Sequence, residues 1–249
     1  MSELAAIYHI WKRELIRFGR SKSRMLASLG MPFFFLAVMG TGLGSVVDIA
    51  GGSYLDFMAP GILAMVILFG SVFPGVMVII DRQFGFLKET LAAPVDRKSI
   101  VIGKAFGGAT TAVIQGLLML GVAMALGAHV ETADILPLIG LMFVISTIFV
   151  ALGIAIASTM EDMHGFQLVM NILVMPMFFL SGAMFPLDSA PAAMRWIAYF
   201  NPMTYVVDLF RLLLSGHSGM PVMMSAGVIG AFGIATFAIA TYLFGRIES

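Results

Sequence analysis

Long, nearly uninterrupted apolar runs separated by short polar stretches dominate the chain, and they are too long for buried strands. They predict helices over about Met25–Val47, Phe57–Ile80, Ala105–Gly127, Ile135–Ser158, Gly165–Phe185 and Pro221–Phe244. At about 1.5 Å per residue each can cross about 30 Å of hydrocarbon. Backbone facing lipid must satisfy its own hydrogen bonds, which favours helices, and the period-two alternation of a membrane β-barrel is missing. The expected fold class is an all-α integral membrane protein with six transmembrane helices, forming one domain over residues 1–249.

Two further segments have helical patterns of a different kind. In residues 1–24, Leu4, Ile7, Tyr8, Trp11, Leu15 and Phe18 recur at spacings of three and four, while Glu3, Lys12, Arg13, Arg17 and Arg20 fill the other faces. This predicts an amphipathic helix in the membrane interface, with Trp11 at headgroup level; the plainer reading is a basic anchor that only sets topology. The segment lacks the apolar core and cleavage site of a signal peptide. Residues 186–216 are apolar but interrupted by Pro186 and Pro191, and Asn201-Pro202 reads as a cap followed by a proline at the first helical position. Two short helices are expected there, about Ala192–Phe200 and Met203–Leu214, dipping into the outer leaflet as a re-entrant segment. Trp196, Tyr199, Phe200 and Tyr205 suit an outer interface, and Asp208 and Arg211 could pair on one face.

Composition supports the membrane reading. The chain is 60% hydrophobic and 11% charged, with a mean hydropathy of +1.01 and no cysteine. Soluble domains carry about 25% charged residues. Charge is sorted by position: Lys12, Arg13, Arg17, Arg20, Lys22 and Arg24 precede the first run, Arg82, Lys88, Arg97, Lys98 and Lys104 follow the second, and Arg246 follows the last. Asp48, Asp56, Glu131 and Asp134 lie on the other side with only Arg195 and Arg211. The excess of Lys and Arg places both termini in the cytoplasm of a multi-pass cell-membrane protein.

Chemistry within the chain finds little support. The histidines are scattered over different loops, paired carboxylates at membrane depth are missing, and Gly103-Lys104 runs into Ala105 without the rest of a P-loop. No catalytic, cofactor-binding or metal site is therefore assigned. Ion coupling would need ionisable residues inside the spans, which instead hold neutral Thr110, Thr111, Gln115, Ser146, Thr147 and Asn171. Helix–helix hydrogen bonding, at roughly 0.6 kcal/mol each, accounts for Ser146 and Thr147; the longer amides of Gln115 and Asn171 are candidates to line a pathway. Gly40, Gly42 and Gly44, and Gly103, Gly107 and Gly108, permit close helix approach, and Pro60, Pro74 and Pro176 can kink spans two and five. The 21 methionines offer adaptable apolar surface or ordinary lipid-facing packing.

Residues 81–104 carry the sharpest signal. Arg82 to Leu91 is helix-compatible, with Phe86 and Leu87 beside Lys88 and Glu89, and Ala93-Pro94 stops it. A short surface helix and a solvated, topology-setting loop fit the residues equally. The stretch Arg82-Gln83-Phe84-Gly85-Phe86-Leu87-Lys88-Glu89-Thr90-Leu91-Ala92-Ala93-Pro94-Val95-Asp96-Arg97, with Gly103-Lys104, resembles the loop of the ABC-2 type permeases. These are the membrane subunits of ATP-binding-cassette exporters such as the daunorubicin-resistance and nodulation-oligosaccharide systems. Leu180-Ser181-Gly182-Ala183-Met184-Phe185-Pro186-Leu187, with Asn201-Pro202-Met203-Thr204-Tyr205 and Asp208, is similar to the family's signature after the fifth span. Phe86 departs from it, standing where many relatives have threonine.

The resemblance implies a half-transporter. Two copies, or one copy and a related permease, would enclose a pathway for an amphiphilic drug, lipid or glycolipid, each seated on a separate ATPase subunit that binds ATP and magnesium; no cofactor is expected in this chain and no nucleic acid among its partners. Phe84–Leu91 would be the coupling helix, with Phe84, Phe86 and Leu87 as apolar contacts and Lys88 and Glu89 as polar ones. Phe185, Trp196 and Tyr205 would belong to an outer gate. An ion-coupled carrier, a membrane enzyme and a scaffold that binds an ATPase without passing a substrate are the competing readings.

Overall fold

A computed structural model describes residues 2–42, 53–87, 90, 95–130 and 134–247. Among these, every regular element is a helix. Helix α1 (Glu3–Arg20) is followed by α2 (Lys22–Phe34), which continues as a π-helical stretch over Phe35–Gly40 just after Pro32. The second apolar run forms α3 (Tyr54–Val72) and α4 (Val76–Gln83), joined through a 3₁₀ turn over Phe73–Gly75 that contains Pro74. Then come α5 (Arg97–Ala125), α6 (Ile135–Ser158), α7 (Met163–Phe179), α8 (Ala192–Phe200), α9 (Pro202–Ser215) and α10 (Val222–Gly245).

Among the described residues, four stretches are long and apolar enough to cross a membrane: Tyr54–Gln83, Arg97–Ala125, Ile135–Ser158 and Val222–Gly245. Ser28–Gly40 and Met163–Phe179 are apolar but shorter. The fourth expected span is found with the boundaries given above. The fifth ends at Phe179 rather than Phe185, because Ser181 bonds back to the Phe178 carbonyl and Gly182 takes a positive φ of 79°. The far end of the first expected span, with Gly44, lies outside the described residues, as do Asp48 and Glu131.

Helix starts are set by short polar side chains at the termini, as backbone donors there require. Ser2 accepts from Ala5 N, Ser53 from Leu55 N, Asp96 from Lys98 N, Asp162 from Gly165 N and Asn201 from Met203 N. Asn201 also donates its Nδ2 to the Met177 carbonyl at 2.6 Å, tying the start of α9 to α7. Asn201→Ala should cost about 2 kcal/mol, the sum of a cap and a second bond. A thermal melt in detergent reads this directly, and an unchanged midpoint would remove Asn201 from the stabilising set.

Helix α3 forms the centre of the bundle, buried on nearly every face, with α5, α6 and α9 packed around it. Helix α10 lies on α6 and α9, and α1 lies along the first half of α5. Gly103 and Gly107, one turn apart on α5, form the seat for α1. A Cβ at Gly103 would stand 2.9 Å from Ile10 Cβ, and one at Gly107 would stand 2.6 Å from Glu14 Cβ. Trp11 donates its Nε1 to Thr110 Oγ1 at 3.0 Å beside this seat. The face carrying Ile10, Trp11 and Glu14 therefore packs on protein rather than lipid, while Leu4 and Tyr8 stay exposed.

Candidate functional site

The residues read as topology signals converge on one buried carboxylate. Asp81, near the end of α4, is 1% exposed and receives three cations. Lys104 Nζ from α5 lies at 2.7 Å, Arg17 Nη2 at 3.2 Å and Arg13 Nη2 at 3.3 Å, the last two from α1. Glu14 adds a second carboxylate, 3.5 Å from Arg13 and 3.9 Å from both Arg17 and Lys104. Buried charges persist only when paired, so this cluster fixes three helices relative to one another.

The cluster lies between the two roots of the connecting loop. That loop is shorter than the expected 81–104, because α4 continues through Gln83 and α5 already begins at Arg97. Its ends are held by further bonds. Gln83 donates to the Glu161 carbonyl in the α6–α7 turn, Asp96 N donates to the Glu3 carboxylate, and Arg97 reaches the carbonyls of Gly245 and Ile247 at the end of α10. The helix expected from Arg82 to Leu91 is broken at Phe84-Gly85, where Gly85 takes a φ of +79°, a region L side chains avoid. Helical backbone resumes at Phe86 and Leu87. Phe84 and Phe86 are 71% and 52% exposed, whereas Leu87 is buried in the bundle and serves as the loop's own inward anchor. Lys88 and Glu89 lie outside the described residues.

Beside the charge cluster a cleft of about 520 Å³ opens between α1, α2, α3–α4, α5 and α7. Glu14 and Arg17 line one end and Gln115 and Met65 the other. Gln115 is buried and donates to Ser28 Oγ at 3.0 Å, bridging α5 to α2.

The sequence matches the ABC-2 type transporter family over residues 5–214. The chain belongs to that family. It is 27% identical over 241 residues to Nodulation protein J of Rhizobium leguminosarum bv. trifolii, covering 95% of this chain and 92% of that protein. It is 25% identical over 250 residues to the inner membrane transport permease YadH of Escherichia coli K12, covering 97% and 95%. With its apolar helices, the chain is thus a multi-pass membrane protein of a transport-permease family rather than an enzyme family.

The other residues singled out in this ABC-2 chain are dispersed. Asn171 is exposed on α7 and does not line the cleft; Gln167, one turn earlier, does. Thr147 bonds its own helix at the Phe143 carbonyl, and Ser146 Oγ is buried without a hydrogen-bond partner, so neither links helices as expected. Trp196 is exposed on α8, but Tyr205 is buried and donates to the Tyr199 carbonyl at 2.8 Å, which removes it from the outer surface. Trp196 meets the same Tyr199 edge-on, and Phe185 is half-buried. Asp208 and Arg211 do not pair. Asp208 accepts from Gly219 N, Ser218 and Ser225, closing the α9–α10 turn, while Arg211 stacks on Phe57 at 4.5 Å and donates to the Gly182 carbonyl.

The Asp81 cluster is not legible from the sequence pattern alone. Its one signal is an acidic residue closing an otherwise apolar helix, opposite two arginines spaced four apart on α1.

Proposed function

We propose that this chain is the permease subunit of an ATP-driven exporter. Six spans place both termini in the cytoplasm of the cell membrane, the first and fifth being the shorter apolar helices. Two copies enclose a pathway for an amphiphilic substrate, and each sits on a separate ATPase subunit that binds ATP and magnesium. Residues 186–216 form the re-entrant outer segment.

One observation carries the proposal: two exposed phenylalanines, Phe84 and Phe86, project from a loop whose roots are fixed to α1, α5, the α6–α7 turn and the end of α10. Apolar side chains on a charged loop suit a partner's groove, and aromatic anchors of this kind dominate interface energies. A loop with rigid roots passes a partner's displacement into several helices, whereas a floppy one would absorb it. Lys88 and Glu89 are the polar contacts in this reading.

A tagged chain solubilised from its native membranes should recover an ATPase subunit. A Phe84→Asp, Phe86→Asp double variant should recover at least about 30-fold less, with its thermal midpoint unchanged, because both side chains already face outward. Equal recovery of the ATPase by the two proteins would move the contact elsewhere, and an absence of any ATPase with the wild type would reject the permease reading.

A further inference from the structure

The cleft beside the charge cluster combines a charged end with largely apolar walls. Arg17 lines this end, its side chain about a third exposed, and its Nη1 has no hydrogen-bond acceptor, the Glu14 carboxylate standing 3.9 Å away. Arg17 already gives its other nitrogen to Asp81, so it is held in place rather than free to swing to water. The cluster contains three cations, Arg13, Arg17 and Lys104, against two carboxylates, Asp81 and Glu14, and so has a residual positive charge. Away from this end the walls are mostly apolar, with Met65, Phe69, Met77 and Phe166 among them, and Gln115, already bonded to Ser28, is one of the few polar side chains.

Length and opening suit one lipid chain. From Ile80 to Met65 the α3–α4 wall runs about 22 Å, which exceeds the ~15 Å half-thickness of a bilayer's hydrocarbon core. Met31 on α2, Phe73 on the 3₁₀ turn and Met163 on α7 line the cleft and are each well exposed, giving it a mouth toward the surroundings of the bundle. A volume of about 520 Å³ lies within the range of ligand sites.

We propose that this cleft holds an anionic phospholipid of the inner leaflet, its phosphate meeting the Arg17 guanidinium and an acyl chain lying along Met77 and Met65. Charge complementarity at the Arg17 end selects anionic over zwitterionic headgroups, since Glu14 repels further negative charge only partly against three cations. The lipid bridges α1 to the α3–α4 wall, so the same bilayer component steadies the helix that braces the loop. The inference rests on membrane placement and not on the ATPase partner.

Native mass spectrometry of the purified chain, released from nanodiscs of equal phosphatidylglycerol and phosphatidylcholine, tests this. The wild type should retain phosphatidylglycerol over phosphatidylcholine by about tenfold, because both offer the phosphate but only phosphatidylcholine brings a choline cation against the cluster's residual positive charge. Arg17→Gln should lose the preference and Arg17→Lys should keep most of it. Met77→Trp fills the apolar wall without touching the charge cluster, and should lose bound lipid of both kinds even if Arg17→Gln fails to insert. Millimolar inorganic phosphate should not displace the lipid. Equal retention of the two lipids by the wild type, undiminished phosphatidylglycerol in Met77→Trp, or displacement by phosphate alone would overturn the proposal. Each readout is independent of ATPase recovery.

Discussion

Asp81→Ala is expected to be the most damaging single substitution of a charged side chain among the described residues. Removing the carboxylate leaves Lys104, 4% exposed, with only Glu14 at 3.9 Å. Arg13 and Arg17 have about a third of their side chains exposed and can turn toward water, so the cost falls mainly on Lys104. Breaking a buried pair from one side costs on the order of 3–5 kcal/mol, against a typical total stability of about 5–15 kcal/mol. The thermal midpoint in detergent should fall by about 10 °C. Lys104→Met should be milder, since Asp81 keeps two arginines. An Asp81→Leu, Lys104→Met double variant should recover most of the loss, because apolar replacement of both partners removes the stranded charge. A double variant as unstable as Asp81→Ala would show that the cluster's value lies in its arginines and not in the buried pair.

This cluster also marks where sequence reading stops. Helix type, most helix boundaries, the α8–α9 pair and the cap at Asn201 were legible, because each depends on residues within a few positions of one another. Arg13 and Asp81 are 68 positions apart, and nothing local distinguishes a basic residue that fixes topology from one that meets a carboxylate in space. Leu87 illustrates the same limit. Its neighbours Phe84 and Phe86 face outward, and only the turn at Gly85 decides that Leu87 faces the bundle. Gly103 and Gly107 could be recognised as a docking stripe from their spacing; that its occupant is α1 could not. Tyr205 looked like an interface aromatic by residue type, yet it is buried on α9 against the bundle.

Gly153→Ala should show how closely α6 crosses the turn in the second apolar run. A Cβ at Gly153 would stand 2.6 Å from the Val72 carbonyl oxygen, and one at Gly75 would stand 2.5 Å from the Gly153 carbonyl oxygen. Both obstacles are backbone, so no side-chain rotation relieves them. The helices must separate, and overpacking of this kind costs about 3 kcal/mol. Gly140→Ala is the control on the same helix: nothing lies within 4 Å of its added Cβ, so the change should be neutral or stabilising by up to about 1 kcal/mol. Thermal midpoints of the two variants should therefore move apart by roughly 10 °C. If they move together, the crossing is loose and α6 can slide past the turn. A tight crossing has a mechanical consequence. Phe73 and Pro74 form part of the cleft wall, and the same helix continues into α4 and the loop root at Gln83. Displacement of Phe84 and Phe86 by a partner then reaches α6 through backbone contact, without depending on any flexible side chain.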